Sequence, residues 1–301
     1  MKKYNLFLVS ILALAMLNGC GNGTQNGNED GTDDVLEEVE HVMESDESDD
    51  GKVVYYSTPS LVEVAAIMKS SGASFNGEIL NSIDNTKRYT TQEKRALNLG
   101  VYGADLTYSA LFENTQESIN YLRTIKQMSD EMGMTGAFEA DLLNQIESNI
   151  TNRDSLLNII TEFYWSADAY LTDNERAHTA SLIIAGGWIE SMHIACNMAQ
   201  NSPNNDEIKT RIGEQKLILK NLLLLLKSQH ADDEHKEVVT QFEELQAIYE
   251  KINMQSETGE VVADADAQHT EIGNTTELSL TDEIFTELTA KFEEIRSDYV
   301  N

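Results

Sequence analysis

The chain has 301 residues, a formal net charge of −31 and a hydrophobic content of 41%. That much negative charge argues against nucleic acid as a partner and against tight binding to anionic lipid headgroups; it suits a solvated acidic surface first, and cations or basic partners second. Only two cysteines occur, Cys20 and Cys196, which is too few for a disulfide framework.

At the start of the chain, Lys2 and Lys3 precede an apolar stretch from Leu6 to Leu17 that is broken only by Ser10. This is the length of an export-signal core and too short to span a bilayer as a helix. The run Leu17-Asn18-Gly19-Cys20 resembles the bacterial lipobox. The resemblance implies a signal peptide over 1–19, cleavage after Gly19, a thioether-linked diacylglycerol on Cys20 and usually an N-acyl chain. Such chains hold a protein to a membrane because each buried CH₂ contributes roughly 0.8 kcal/mol. Gly21 in place of Asp after the cysteine implies the outer membrane, by likeness to known sorting patterns. An ordinary secreted protein cut near the same point is the alternative. With Cys20 lipidated, Cys196 has no disulfide partner and reads as a small core residue.

Residues 20–51 form the lipidated cysteine and an acidic tether. Twelve acids and no Lys or Arg lie between Glu29 and Asp50, and large apolar residues are few. This composition cannot bury a core, so the segment is predicted to be disordered or weakly helical, and its like charges favour extension. Within it, Asn26, Asn28, Asp30, Gly31 and Glu37 match positions 1, 3, 5, 6 and 12 of a calcium-loop template. No entering helix precedes them, and an acidic low-complexity run matches such a template by chance.

From residue 52 to 301 the sequence predicts one all-α domain of antiparallel helices. Prolines are confined to Pro59 and Pro203. Helices are predicted near 59–71, 91–112, 115–132, 137–149, 154–171, 173–200, 206–228, 232–254 and 282–299. Starts are marked by Pro59 after Thr58 and by the capping pairs Thr90 with Glu93, Asn114 with Glu117 and Thr172 with Glu175. Gly133 is a predicted stop. The five-leucine run Leu222 to Leu226 reads as buried helix. Gln255 to Ser279 reads as non-helical, with a short strand at Val261-Val262.

Three segments carry a family resemblance. They are Asn98-Leu99-Gly100-Val101-Tyr102-Gly103-Ala104-Asp105-Leu106-Thr107-Tyr108, Asp168-Ala169-Tyr170-Leu171 and Gly186-Gly187-Trp188-Ile189-Glu190. From about Tyr55 onward the chain resembles a family of uncharacterised all-helical lipoproteins of Gram-negative bacteria. The resemblance implies a helical fold and an envelope location, and transfers no activity.

The helix at 91–112 places Asn98, Tyr102, Asp105 and Ser109 in one polar stripe within about 60° of arc, bordered by apolar surface on both sides. Gly100, Gly103, Thr107 and Ala110 make a face of small residues where another helix can approach. The helix at 173–200 carries a second polar stripe containing Glu190, His193 and Asn197, while Trp188 points nearly opposite. Gly186-Gly187 in mid-helix implies close packing or a bend. Because a lone buried carboxylate is costly, the two stripes are expected to share an interior space, either as a structural network or as a ligand pocket. A cation, a proton or a basic side chain must then lie between Asp105 and Glu190. His193 is a candidate for that role, and Tyr102 and Tyr108 are candidate donors to Asp105.

Two Glu-x-x-His pairs, Glu175 with His178 and Glu190 with His193, resemble half-sites of carboxylate-bridged di-metal bundles. On one continuous helix they stand about 22 Å apart, too far to share a site. His230, Asp232 and His235 cluster at a helix start and read as an exposed polar cap. No Gly-x-Ser-x-Gly, His-Glu-x-x-His or phosphate loop is present, and no cofactor is predicted. These readings favour a membrane-anchored binding or scaffold protein with a protein or small-molecule ligand. The alternative is a metal-dependent or acid–base hydrolytic enzyme using Asp105, Glu190 and His193.

Overall fold

A computed structural model describes residues 75–135, 166–167, 169–202, 205–229, 233–264 and 269–301, with positions 148, 149, 152, 155 and 160. The signal segment, Cys20, the acidic tether with its calcium-loop template, and the helix predicted at 59–71 lie outside the described residues. So do Pro203, His230, Asp232 and most of the segments 137–149 and 154–171.

The fold is all-α. Two short 3-10 turns, Gly77–Ile79 and Ile83–Arg88, lead into α1 (Gln92–Leu111) and α2 (Thr115–Glu131). These are followed by α3 (Ala177–Asn201), α4 (Asp206–Ser228), α5 (Asp233–Tyr249) and α6 (Asp282–Val300). An antiparallel hairpin is inserted between α5 and α6, with β1 (Asn253–Asp264) paired to β2 (His269–Ser279). Its ladder runs from Asn253 opposite Ser279 to Asp264 opposite His269, so the extended structure far exceeds the two-residue strand predicted. It also ends α5 at Tyr249 rather than at 254.

Cap chemistry sets the helix ends. Thr91, not Thr90, caps α1, its hydroxyl accepting from the Lys94 amide at 3.1 Å. Asn114 caps α2 through the Glu117 amide at 3.3 Å, as its spacing predicts. Gly133 follows α2 at φ 74°, and the Met134 amide returns to the Ser129 carbonyl at 2.8 Å, the left-handed stop expected of glycine. The pair Thr172 and Glu175 does not open a helix. Glu175 lies at φ 58°, donates its amide to the Thr172 carbonyl and closes the preceding helix. α3 then begins after Arg176, which makes no side-chain cap.

α1 is the central helix, buried on every side from Ala96 to Leu111. A helix covered all round must satisfy its polar residues inside the protein. Its main partner is α3, and the contact is made through glycines. A methyl on Gly100 would overlap the Ile183 carbonyl, and one on Gly186 would overlap the Leu97 carbonyl. The small-residue segments predicted to permit close approach are therefore where these helices cross. Beyond the crossing Asp105 meets Glu190, so α1 and α3 run in the same direction. α6 runs against α3, with Glu190 beside Arg296 and His193 beside Glu293.

On the opposite side of α3, Trp188 packs between Phe242, tilted to it at 5.6 Å between centroids, and Phe292, edge-on at 5.5 Å, and donates to Gln215 at 3.3 Å. The leucine run is only partly buried. Leu222, Leu223 and Leu226 face the core, but Leu224 is 56% exposed, because five consecutive residues exceed one helical turn. Among the described residues no helix is long and apolar enough to cross a membrane.

Candidate functional site

The polar stripes of α1 and α3 converge beneath a strap formed by residues 75–89. The strap makes few regular backbone bonds of its own, so side chains of the helices replace them. Tyr102 donates its hydroxyl to the Ser82 carbonyl at 2.9 Å, and Tyr121 of α2 donates to the Asn81 carbonyl at 3.1 Å. The Asn81 amide donates to Asp105 Oδ2 at 3.2 Å, and the Asn76 amide to the Tyr108 hydroxyl at 3.2 Å. Asn98 closes the far end. Its Nδ2 donates to the Lys94 and Tyr299 carbonyls at 2.9 and 2.8 Å, and its Oδ1 accepts from Asn81 Nδ2 at 3.3 Å. Asn81 Nδ2 also donates to the Tyr89 hydroxyl at 2.9 Å. The predicted donors to Asp105 thus serve the strap: Tyr102 binds Ser82, and Tyr108 accepts from Asn76.

Asp105 and Glu190 are both wholly buried and lie within hydrogen-bonding reach of each other. The group that compensates them is Arg296 of α6, not His193. Arg296 Nε and Nη2 donate to the two oxygens of Glu190 at 2.7 and 3.0 Å, the paired geometry in which guanidinium binds carboxylate best. Nη2 also donates to the Ile79 carbonyl at 3.1 Å. Burial, reinforced by the Glu190 charge, holds the Asp105 carboxyl well above the usual carboxylate range. Burial likewise pushes the hydroxyls of Tyr89, Tyr102 and Tyr121 up, so they stay neutral donors. Arg296 is buried at a cost to its charge, yet Glu190 raises it above the free value.

His193 sits at the rim. Its Nδ1 lies 2.9 Å from Glu293 and its Nε2 lies 3.2 Å from the Ile79 carbonyl, so it supports the strap rather than bridging the carboxyls. The remaining stripe residues stand apart. Ser109 is buried, and its hydroxyl meets no hydrogen-bond partner among the described residues. Asn197 pairs with Asn201 along α3 at 3.1 Å, away from the cluster.

The His178 and His235 rings pack tilted against each other, 4.8 Å between centroids. His235 lies 2.7 Å from the Leu226 carbonyl and is fully buried, which corrects the expected exposed cap. Among the described residues no group of three or more His, Cys, Asp or Glu is placed to hold a metal. Cys196 is a buried free thiol, pushed up to about 12 by burial, in keeping with a core role.

No protein-family model, curated protein or solved structure matches the chain. The cluster is therefore read from its own chemistry. Two buried carboxyls, one guanidinium and a set of neutral hydroxyl and amide donors bind a strap built of two short 3-10 turns. Sequence reasoning located Asn98, Tyr102, Asp105 and Glu190 but missed Arg296 and the strap. Arg296 does carry a signal, since it falls in the apolar row of α6 between Phe292 and Tyr299.

Proposed function

We propose that the chain is a lipid-anchored helical scaffold or binding protein of the cell envelope. The cluster of Asp105, Glu190 and Arg296 then serves the fold, and partners meet the outer surface. One observation carries this reading: Glu190 is bound at both oxygens by Arg296, and the chain's own strap takes up Asp105 Oδ2 through the Asn81 amide and Arg296 Nη2 through the Ile79 carbonyl. A hydrolase using Asp105, Glu190 and His193 would need those groups to reach a substrate, and a metal site on Glu190 would compete with a buried guanidinium. Anchoring rests on the lipobox-like run ending in Cys20.

The test is fractionation of cells expressing the wild type and Cys20→Ser. The wild type is expected in the membrane fraction after a high-salt wash, carrying label from a radioactive fatty acid. The variant is expected to be unlabelled and released. Unchanged membrane retention of the variant would overturn the anchor, and turnover by the wild type that Glu190→Gln abolishes would overturn the scaffold reading.

A further inference from the structure

We propose that Asp105, Glu190 and Arg296 form a one-proton latch: Asp105 carries a proton shared with Glu190, and while it stays Arg296 pins the strap 75–89 through the Ile79 carbonyl. Asp105 Oδ2 accepts from the Asn81 amide, but Oδ1 is buried without a donor among the described residues. Its side chain is nonetheless within hydrogen-bonding reach of Glu190. Two carboxylates cannot bond to each other unless one carries a proton. Both oxygens of Glu190 already accept from Arg296, whereas Asp105 Oδ1 accepts from nothing among the described residues, so the proton belongs on Asp105.

The surroundings offer no second cation in contact with either carboxyl among the described residues. α1 contributes Tyr102 beside Asp105, and α2 contributes Tyr121, with Glu117 farther out. α3 contributes Glu190 and His193, the latter held between Glu293 and Ile79. α6 contributes Arg296, with Glu293 at the rim and Tyr299 offering only its carbonyl to Asn98. The strap contributes Tyr89, with Arg88 turned to Asn301. With Asp105 neutral, one guanidinium balances one carboxylate. With Asp105 ionised, the buried group carries an unbalanced negative charge, and Arg296 must serve two carboxylates instead of Glu190 and the Ile79 carbonyl. The strap then loses one of the bonds that hold it.

The folded state keeps the Asp105 proton to higher pH than the unfolded chain does. The stabilisation is therefore complete below the unfolded carboxyl value of about 3.9 and is lost as pH rises toward and through the raised folded value. One such proton changes the folding equilibrium by up to about tenfold per pH unit in that window. Asp105→Asn imitates the neutral acid, because its amide can donate to Glu190.

The experiment uses the full chain in detergent. Infrared spectra near neutral pH are expected to show a protonated-carboxyl carbonyl band in the wild type that Asp105→Asn lacks. Denaturant unfolding is expected to make Asp105→Asn progressively more stable relative to the wild type as pH rises from 4. Hydrogen exchange, corrected for intrinsic rates, is expected to show strap amides losing protection with rising pH in the wild type alone. If Asp105→Asn does not fold, Glu190→Gln replaces it: Asp105 should then ionise against Arg296 and the band should vanish. A wild type without the band overturns the proposal. So does a band that persists in the variant used, a relative stability of opposite slope, or a strap whose protection ignores pH.

Discussion

Glu175 occupies left-handed backbone at φ 58° and closes one helix just before α3 begins. A side chain there crowds the following carbonyl, at a cost of about 1–2 kcal/mol that glycine avoids. Glycine returns part of this through the greater entropy of its unfolded chain, roughly 0.5–1 kcal/mol. Glu175→Gly is therefore expected to stabilise the protein by about 0.5–1 kcal/mol, read as a higher denaturant midpoint at unchanged slope. A lower midpoint would mean that the Glu175 side chain makes a contact worth more than the strain. The Glu-x-x-His spacing with His178 drew attention to Glu175, but its backbone conformation gives its role. The same contrast holds in the cluster. Asp105 and Glu190 were legible because helical periodicity places them on buried stripes. The residues that satisfy them, Asn81 and Arg296, lie 24 and 106 positions away from the acids they bind, and no local pattern records such a pairing.

At the scale of elements, the crossing of α1 and α3 positions the cluster, because it brings Asp105 within reach of Glu190. The glycines at the crossing differ in what they permit. Gly100 and Gly186 each abut a backbone carbonyl of the other helix, whereas a methyl on Gly187 would stand 3.3 Å from the Gly100 carbonyl oxygen. Gly100→Ala and Gly186→Ala force the helices apart and are expected to cost about 3 kcal/mol or more, the upper range of overpacking. Gly187→Ala trades a slight displacement against a gain in helix propensity of about 1 kcal/mol, and is expected to be close to neutral. Thermal unfolding of the three variants checks the order. Equal losses at all three positions would mean that helix propensity, not close approach, governs this segment. The small-residue pattern thus announced both the contact and its location. Helix ends were legible where a cap is local, as at Asn114 and Gly133. They were missed where a neighbouring threonine competes, as at Thr90 and Thr91. The hairpin before α6 was legible only as a non-helical segment with a two-residue strand, because many of its residues are Glu, Gly, Asp or Asn, which are poor strand formers.

For the whole molecule, charge is the property that length and fold do not explain. The helical body is held by apolar burial around α1 and α3 and by a cluster whose charges cancel when Asp105 is neutral, so the net −31 contributes to solubility and self-repulsion rather than to the fold. The segment from Asn22 to Asp50 concentrates this charge, with twelve acids and no Lys or Arg from Glu29 onward, and few large apolar side chains. Deleting Asn22 to Asp50 removes little surface able to be buried but much repulsion, and leaves Cys20, the proposed lipid site, in place. A change of 1 kcal/mol moves the melting temperature of a domain of 150–250 residues by about 2–4 °C. The deletion is therefore expected to shift it by less than about 2 °C, upward at low salt, where relief of repulsion is felt. At high salt, where charges separated by more than the Debye length are screened, the shift should vanish. Melting of the two chains in the same detergent at low and high ionic strength checks both parts. A fall of many degrees at either salt concentration would mean that the acidic segment packs on the helical body, and that the body begins earlier than residue 52.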